Sequence, residues 1–258
     1  MKKYHLVASI DVLRHGEKDQ KGQLTADGFY QSAMKAINIQ HLSGDVHVYH
    51  SGNNRVMKTV STIHNLLNKD AEYLHNDNFG KDINDHAEGT KELFEIDDHI
   101  DNRLHFLNDP KNKGKYFSTW GPEPDVRKRN QRTQDFLNLD DISPEAGITD
   151  SPKKIAQNAL SLVAEQIESV LSTKYHIREN FINGTHEPVV MSAIFYFLNY
   201  FKFGKNDFVE HVGGSVDYTE GFHIKIFQRR NGEHLLQFYF RDYMIDFRLE
   251  ELKDFINS

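Results

Sequence analysis

The chain has 258 residues, 38% hydrophobic, 12% aromatic and 27% charged, with a formal charge of −7 and no cysteine. That length buries enough apolar surface to fold without a disulfide or a structural metal, and the missing cysteines exclude a thiolate nucleophile, a redox pair, a cysteine zinc knuckle and an iron–sulfur cluster. The acidic balance argues against a surface built as a whole for nucleic acid or anionic lipid, so an anionic ligand requires a local positive pocket. Met1-Lys2-Lys3 has the charge of a signal peptide, but the apolar stretch from Leu6 to Ile10 is short and runs into Asp11, Arg14 and Glu17. No stretch approaches the roughly 20 apolar residues of a membrane span. A cytoplasmic chain with no nucleic-acid or membrane partner is expected.

Leu6 to Leu13 is nearly continuously apolar and stops at Arg14-His15-Gly16, the pattern of a buried central strand feeding a turn. Thr25 then caps a predicted helix with Phe29, Ala33, Ala36 and Ile37 at helical spacing. Val46 to Tyr49 is a second short strand, followed by a helix whose inner face carries Val56, Val60, Ile63 and Leu67. Ala71 to His75 suits a third strand. This alternation favours a parallel sheet with helices on its faces.

From about residue 76 to 150 the chain is polar, rich in Asn, Asp, Lys and Gly, and interrupted by Pro110, Pro122, Pro124 and Pro144. It reads as an insertion whose short apolar clusters, Leu93-Phe94-Ile96 and Leu104-Phe106-Leu107, are helices lying over a core they did not build. Ser151-Pro152 restarts regular structure as a cap and first-turn proline, with Ile155, Ala159, Leu162, Val163, Ile167 and Val170 on one helical face. Phe181 to His186 is another strand, and Pro188 opens a very apolar helix reaching about Phe203. Phe222-Ile224-Ile226 and Leu236-Phe238-Phe240 flank Asn231-Gly232, a strong β-hairpin signal.

His15 and His186 end predicted core strands, and Arg14 and Arg55 lie at comparable positions. Ligands bind in the crevice outside the carboxyl ends of such strands, so these four side chains are candidates to converge. Paired guanidiniums present rigid forks of donors that match the oxygens of a phosphoryl group.

These residues lie in motifs that resemble those of the histidine phosphatase superfamily, also called phosphoglycerate mutase-like. The resemblance rests on Leu13-Arg14-His15-Gly16-Glu17, then Leu24-Thr25-Ala26-Asp27-Gly28, then Ser51 with Arg55 and Thr59, then Thr185-His186. It covers the first 70 residues or so and about 151 to 203; no motif in the insertion matches. Gly52 stands where proline is common in the family, and Val60 where a small residue often follows Thr59.

The resemblance implies that His15 is the nucleophile that becomes a phosphohistidine, that Arg14 and Arg55 hold the phosphoryl oxygens, and that His186 is the second pocket histidine. An imidazole attacks only when neutral, and two nearby guanidiniums disfavour its protonation. The same fixed charges stabilise the phosphoryl oxygens in the transition state, and a carbonyl bonded to one ring nitrogen would aim the other at phosphorus. Some members of the family carry the general acid directly after the second histidine, where this chain has Glu187; others place a Glu at the start of the insertion, where Asp77, Asp82 and Glu88 are the candidates.

Taken singly, each residue has a plainer reading: His15 in a turn, Arg55 solvated on a helix, His186 as a satisfied core histidine. The motif order favours the pocket. His186-Glu187-Pro188 is not a zinc-binding His-Glu-x-x-His, and no metal or other cofactor is expected. The basic run Arg127-Lys128-Arg129-Asn130-Gln131-Arg132 reads as a solvated face or loop. The expected architecture is a three-layer α/β sandwich with a mostly parallel central sheet, spanning 1–258 with the insertion at about 76–150. A helical insertion covers the site, and a C-terminal hairpin extends the sheet. The expected activity is metal-independent hydrolysis of phosphate monoesters on a phosphorylated small molecule or protein. The alternatives are a phosphoglycerate mutase-like transfer to another substrate and an inactive phospho-ligand binding module.

Overall fold

The computed structural model describes residues 4–39, 44–67, 98–104, 125–139, 150–173, 178–201 and 208–258. At its centre is β1 (Tyr4–Arg14), buried from Val7 to its end. Helices cover both faces of this strand, which is why its sequence shows no polar alternation. β4 (Glu179–Thr185) pairs with it in parallel, β2 (Asp45–His50) pairs parallel to β4, and the short β3 (Asp98–Ile100) lies parallel beyond β2. On the other side of β1, β5 (Gly221–Arg229), β6 (His234–Phe240) and β7 (Tyr243–Phe247) run antiparallel, giving the order β3-β2-β4-β1-β5-β6-β7. The hairpin from β5 to β6 turns at Asn231-Gly232, where Gly232 adopts φ 83°, a conformation that glycine takes without steric cost.

α1 (Ala26–Ile39) and α2 (Asn54–Leu67) pack together on one face, over a cluster containing Leu13, Ala33, Ala36, Val60, Ile63 and Ile182. α4 (Pro152–Ser172), α5 (Glu187–Phe201) and α7 (Leu249–Asn257) cover the other face, where the larger apolar cluster lies. Ser151 caps α4 by accepting the Lys154 N–H at 3.2 Å, with Pro152 in the first turn. The three-layer α/β sandwich anticipated above is therefore the observed fold, and the C-terminal hairpin does extend the sheet.

Two elements add to that expectation: β7 continues the hairpin into a third antiparallel strand, and α7 follows it, its first turn held where Glu251 accepts the Arg248 N–H at 2.8 Å. The proposed strand at 71–75 lies outside the described residues, and the strand found beside β2 is β3. The basic run at 127–132 is not a loop. It belongs to α3 (Val126–Leu137), capped by Asp125 and buried through Thr133, Phe136 and Leu137. A helix turns about 100° per residue, so the run divides: Arg127, Lys128 and Gln131 are exposed, while Arg129, Asn130 and Arg132 are half-buried. α6 (Phe208–His211) packs against α3 and leads into the segment 212–220 that returns to the sheet. Among the described residues no helix is long and apolar enough to cross a membrane.

Candidate active site

The carboxyl ends of β1, β2 and β4 meet at one point, and each delivers a polar side chain there. β1 ends at Arg14, and the next residue, His15, is held by its N–H to the Thr185 carbonyl of β4 at 3.0 Å. The following turn must be glycine: a Cβ on Gly16 would stand 2.5 Å from the Gly28 carbonyl oxygen. This close approach joins the Arg-His-Gly motif to the Ala-Asp-Gly at the start of α1. Thr59 of α2 locks the turn from the other side, accepting the Gly16 N–H at 3.0 Å while donating to the Arg55 carbonyl at 2.8 Å.

His15 is 3% exposed. Its Nδ1 lies 2.6 Å from the Gly16 carbonyl oxygen, which can only accept, so Nδ1 carries the proton. Nε2 therefore has a lone pair in the neutral ring, and it accepts from Arg55 Nε at 3.0 Å. Burial holds the imidazole well below its ordinary pKa, with Arg55, Arg14 and Lys18 acting in the same direction and the Gly16 carbonyl opposing them. The result is a neutral ring with its free nitrogen turned toward the cations.

His186, at the first bend beyond β4, stands edge-on to His15 with ring centroids 5.2 Å apart. Arg55 Nη2 donates toward its Nδ1 at 3.3 Å, and its Nε2 meets Ser51 Oγ, just past β2, at 3.2 Å. Arg55 thus touches both imidazoles from the first turn of α2. Arg14 completes the group from below: Nη1 donates to the Val216 carbonyl at 2.7 Å and faces Glu187 Oε2 at 3.0 Å. Its Nε is buried with no hydrogen-bond acceptor among the described residues. A buried donor of this kind costs free energy unless an acceptor reaches it, and a phosphoryl oxygen is such an acceptor.

Glu187 is 4% exposed and engaged at both oxygens. While Oε2 faces Arg14, Oε1 accepts from Thr133 Oγ1 at 3.0 Å and from Ser215 Oγ at 2.6 Å. Thr133 comes from α3, so the insertion reaches the floor of the site. The segment 215–220 wraps the remaining side. Tyr218 lays its ring 4.3 Å from the Arg14 guanidinium and 6.1 Å from the His15 ring. The Arg14 N–H bonds the Glu220 carbonyl, and the Thr219 N–H reaches the His15 carbonyl. Thr219 adopts φ 57° to do so, a left-handed conformation uncommon for a β-branched residue.

The structure therefore brings His15, Arg14, His186 and Glu187, all buried, together with the half-buried Arg55 into one cluster. Asp77, Asp82 and Glu88 lie outside the described residues. Thr133, Ser215 and Tyr218 are site residues that sequence reasoning missed, because no spacing rule connects a helix of the insertion or an irregular loop to a strand end. Lys18, three residues past His15, could have been noticed in the motif itself. Among the described residues no group of three or more His, Asp or Glu side chains is arranged to hold a metal ion.

No family model and no curated protein matches the sequence. Solved structures do match in fold. Mycobacterial hydrolase 2 superposes with a TM-score of 0.52 at 12% identity, covering 96% of each chain. Mycobacterial hydrolase 1 gives 0.52 at 12% identity, over 92% of this chain and 99% of its own. Phosphoserine phosphatase from Entamoeba histolytica, in complex with 3-phosphoglyceric acid, gives 0.48 at 15% identity, over 94% and 98%. The three-layer α/β sandwich built around this site is therefore a fold that the chain shares with the two mycobacterial hydrolases.

Proposed function

We propose that the chain is a phosphatase that hydrolyses phosphate monoesters through a phosphohistidine on His15, without a metal ion. One observation carries this reading: a neutral, buried imidazole presents its Nε2 lone pair among two guanidiniums and a second histidine. In the first step Nε2 attacks phosphorus and a P–N bond forms as the P–O bond to the leaving group breaks. The Arg55 Nε–H, which occupies the Nε2 lone pair in the unloaded site, moves from it to a phosphoryl oxygen as the substrate enters, and Arg14, Arg55 and His186 then meet those oxygens as charge develops on them. Glu187, a carboxylate in the unloaded site, passes to the departing oxygen the proton that a monoanionic phosphate ester brings with it. Its Oε1 is held by Thr133 and Ser215, so Oε2, shared with Arg14, is the oxygen that exchanges the proton. In the second step water attacks phosphorus, the P–N bond breaks, and the proton of the water returns to Glu187.

The reading places the chain among the histidine phosphatases by activity as well as fold, with cytoplasmic work on a phosphorylated small molecule or protein. The test is His15→Ala. Turnover of an aryl phosphate is expected to disappear, along with the acid-labile, base-stable phosphoenzyme label, while the circular dichroism spectrum stays that of the folded protein. Activity that survives the substitution, or that a chelator abolishes in the wild type, overturns the mechanism.

A further inference from the structure

One side of the pocket is a single irregular stretch, 215–220, and almost every residue of it touches a group that the chemistry uses. Ser215 donates to Glu187, the Val216 carbonyl accepts from the Arg14 side chain, and Tyr218 covers the Arg14 guanidinium. The Thr219 N–H reaches the His15 carbonyl, and the Glu220 carbonyl takes the Arg14 N–H. Irregular backbone has no ladder of its own, so other groups must hold it to the tolerance that a reacting centre demands.

The holding group is Arg241, in the two-residue turn between β6 and β7. A guanidinium has five N–H bonds, and all five of Arg241 go to this stretch or to the turn leading into it. Nη1 donates to the Val212 carbonyl at 2.5 Å and the Gly214 carbonyl at 2.9 Å. Nη2 donates to the Ser215 carbonyl at 3.1 Å and Glu220 Oε2 at 2.9 Å, and Nε donates to Glu220 Oε1 at 2.7 Å. Glu220 Oε2 also accepts the Asp217 N–H at 2.7 Å, so one carboxylate ties the arginine to the turn that presents Tyr218. Gly213 and Gly214, at φ 81° and 104°, curl the chain so that the carbonyls of 212, 214 and 215 face one cation. The only other contact of the guanidinium among the described residues is the Phe240 ring, so Arg241 reaches no reacting group directly.

The backbone marks the same two places. Among the described residues, only Arg241 at 49° and Thr219 at 57° have a positive φ without being glycine. Arg241 is the first central residue of a hairpin turn, where glycine, Asn or Asp is the usual choice. Thr219 is the third residue of a turn closed by the Glu220 N–H on the Asp217 carbonyl at 3.2 Å, where a positive φ again calls for glycine. Neither residue suits the backbone it occupies. Such strain persists only where the surroundings over-determine it, and here the Arg241–Glu220 pair joins the two strained turns.

We propose that Arg241 is a positioning residue of the phosphoryl site: it moulds 212–220 into the wall that aims Arg14 and Glu187. This rests on the pocket being a phosphoryl site. Lysine cannot take its place, because three donors on one nitrogen do not match acceptors spread around a planar fork.

Arg241→Gly isolates the role, since glycine suits the turn better than arginine and only the side chain is lost. The variant is expected to keep the circular dichroism spectrum and to lose about 10²-fold in kcat/KM, the penalty of a misplaced centre. The loss should be larger for an alkyl phosphate than for 4-nitrophenyl phosphate, because Glu187 is displaced along with Arg14. It should persist on cooling well below the thermal midpoint, where activity lost merely to unfolding returns. Amide exchange without ligand should quicken at Arg14 and Thr219 and stay unchanged in the ladder between β1 and β4. Arg241→Lys should recover only a minor part of the activity, and it carries the test with the same exchange readout if Arg241→Gly does not fold. Full activity in Arg241→Lys or in folded Arg241→Gly, or a loss that cooling restores, overturns the role. A wild type that turns over neither ester refutes the phosphoryl reading and this role with it, whereas an active wild type beside an unimpaired variant refutes the role alone.

Discussion

Replacing Glu187 with Gln separates a proton donor from a residue that merely holds Arg14. The amide is nearly isosteric, and one orientation suits the site: its carbonyl faces Arg14 Nη1, where Oε2 now lies at 3.0 Å, and its NH2 faces the hydroxyls of Thr133 and Ser215. Those hydroxyls can rotate to accept, since Thr133 Oγ1 already has a second acceptor in the Arg129 carbonyl at 3.0 Å. Breaking a buried ion pair by removing one partner costs about 3–5 kcal/mol, but here the hydrogen bonds survive, so a loss of about 1–3 kcal/mol is expected. The thermal midpoint falls and the fold persists.

The activity divides by leaving group. With an alkyl phosphate, whose alkoxide must be protonated as it departs, loss of the acid is expected to lower kcat/KM by about 10²- to 10⁴-fold. With 4-nitrophenyl phosphate, whose phenolate leaves unaided, only the weakened hold on Arg14 matters, and a loss of about tenfold or less follows from one altered charge-assisted contact. The assay is phosphate release under both substrates at neutral pH, with circular dichroism as the folding control. Equal losses on the two substrates would refute the acid role and leave Glu187 as a residue that acts only by orienting Arg14.

Four further outcomes follow from the geometry. Thr133→Val removes one of the two hydroxyl donors to Glu187 Oε1, and the kcat for an alkyl phosphate should fall several-fold with KM nearly unchanged; a KM effect alone would place Thr133 in substrate binding instead. Gly16→Ala forces a Cβ into the Gly28 backbone 2.5 Å away, so soluble yield and activity should both collapse, and a well-folded active variant would show the turn to be slacker than described. In kcat/KM profiles the acid limb set by His15 should lie below the ordinary value of 6.5; residual activity in Arg55→Met should show the limb moved upward, since one cation disfavouring the imidazolium is gone.

The fourth concerns stability. His223, half-buried, near Lys35 and Lys225 and stacked on Tyr239, is pushed down from 6.5 to about 4 by loss of hydration, with Asp11 opposing. Because its folded value is the lower one, its contribution is fully present above pH 6.5 and is lost as the pH falls toward 4, where the unfolded chain takes up a proton that the folded one refuses. A depression of that size is worth on the order of 3 kcal/mol at most. Denaturant midpoints measured between these pH values should decline less steeply in His223→Phe, and an unchanged slope would show that the ring is not kept neutral.

How much of this was legible in the sequence depended on the range of the forces involved. β1, α1, β2, α2, α4, β4, α5 and the β5–β6 hairpin each carry a local pattern, whether an apolar run, a helical period, a cap or an Asn-Gly turn, so each could be placed from its own residues. The motifs around His15, Arg55 and His186 were visible for the same reason: strand-end turns demand glycine and a polar tip at fixed offsets. β7 escaped because five residues abutting a helix hold too little periodicity to stand out. The basic run misled because solvation was assumed for the whole of it. Helical rotation sends Arg127 and Lys128 to water and turns Arg129 and Arg132 inward.

The amino-acid order by itself determined which chemical groups exist and which strand ends they sit on, since those follow from contacts a few residues long. Only the folded chain decided their company. Thr133 is 54 residues from Glu187, and Val216 is 202 from Arg14. No local propensity encodes such pairings, because they arise where sheet, insertion and returning loop are packed against each other, and the charge balance of the pocket is a sum over all three.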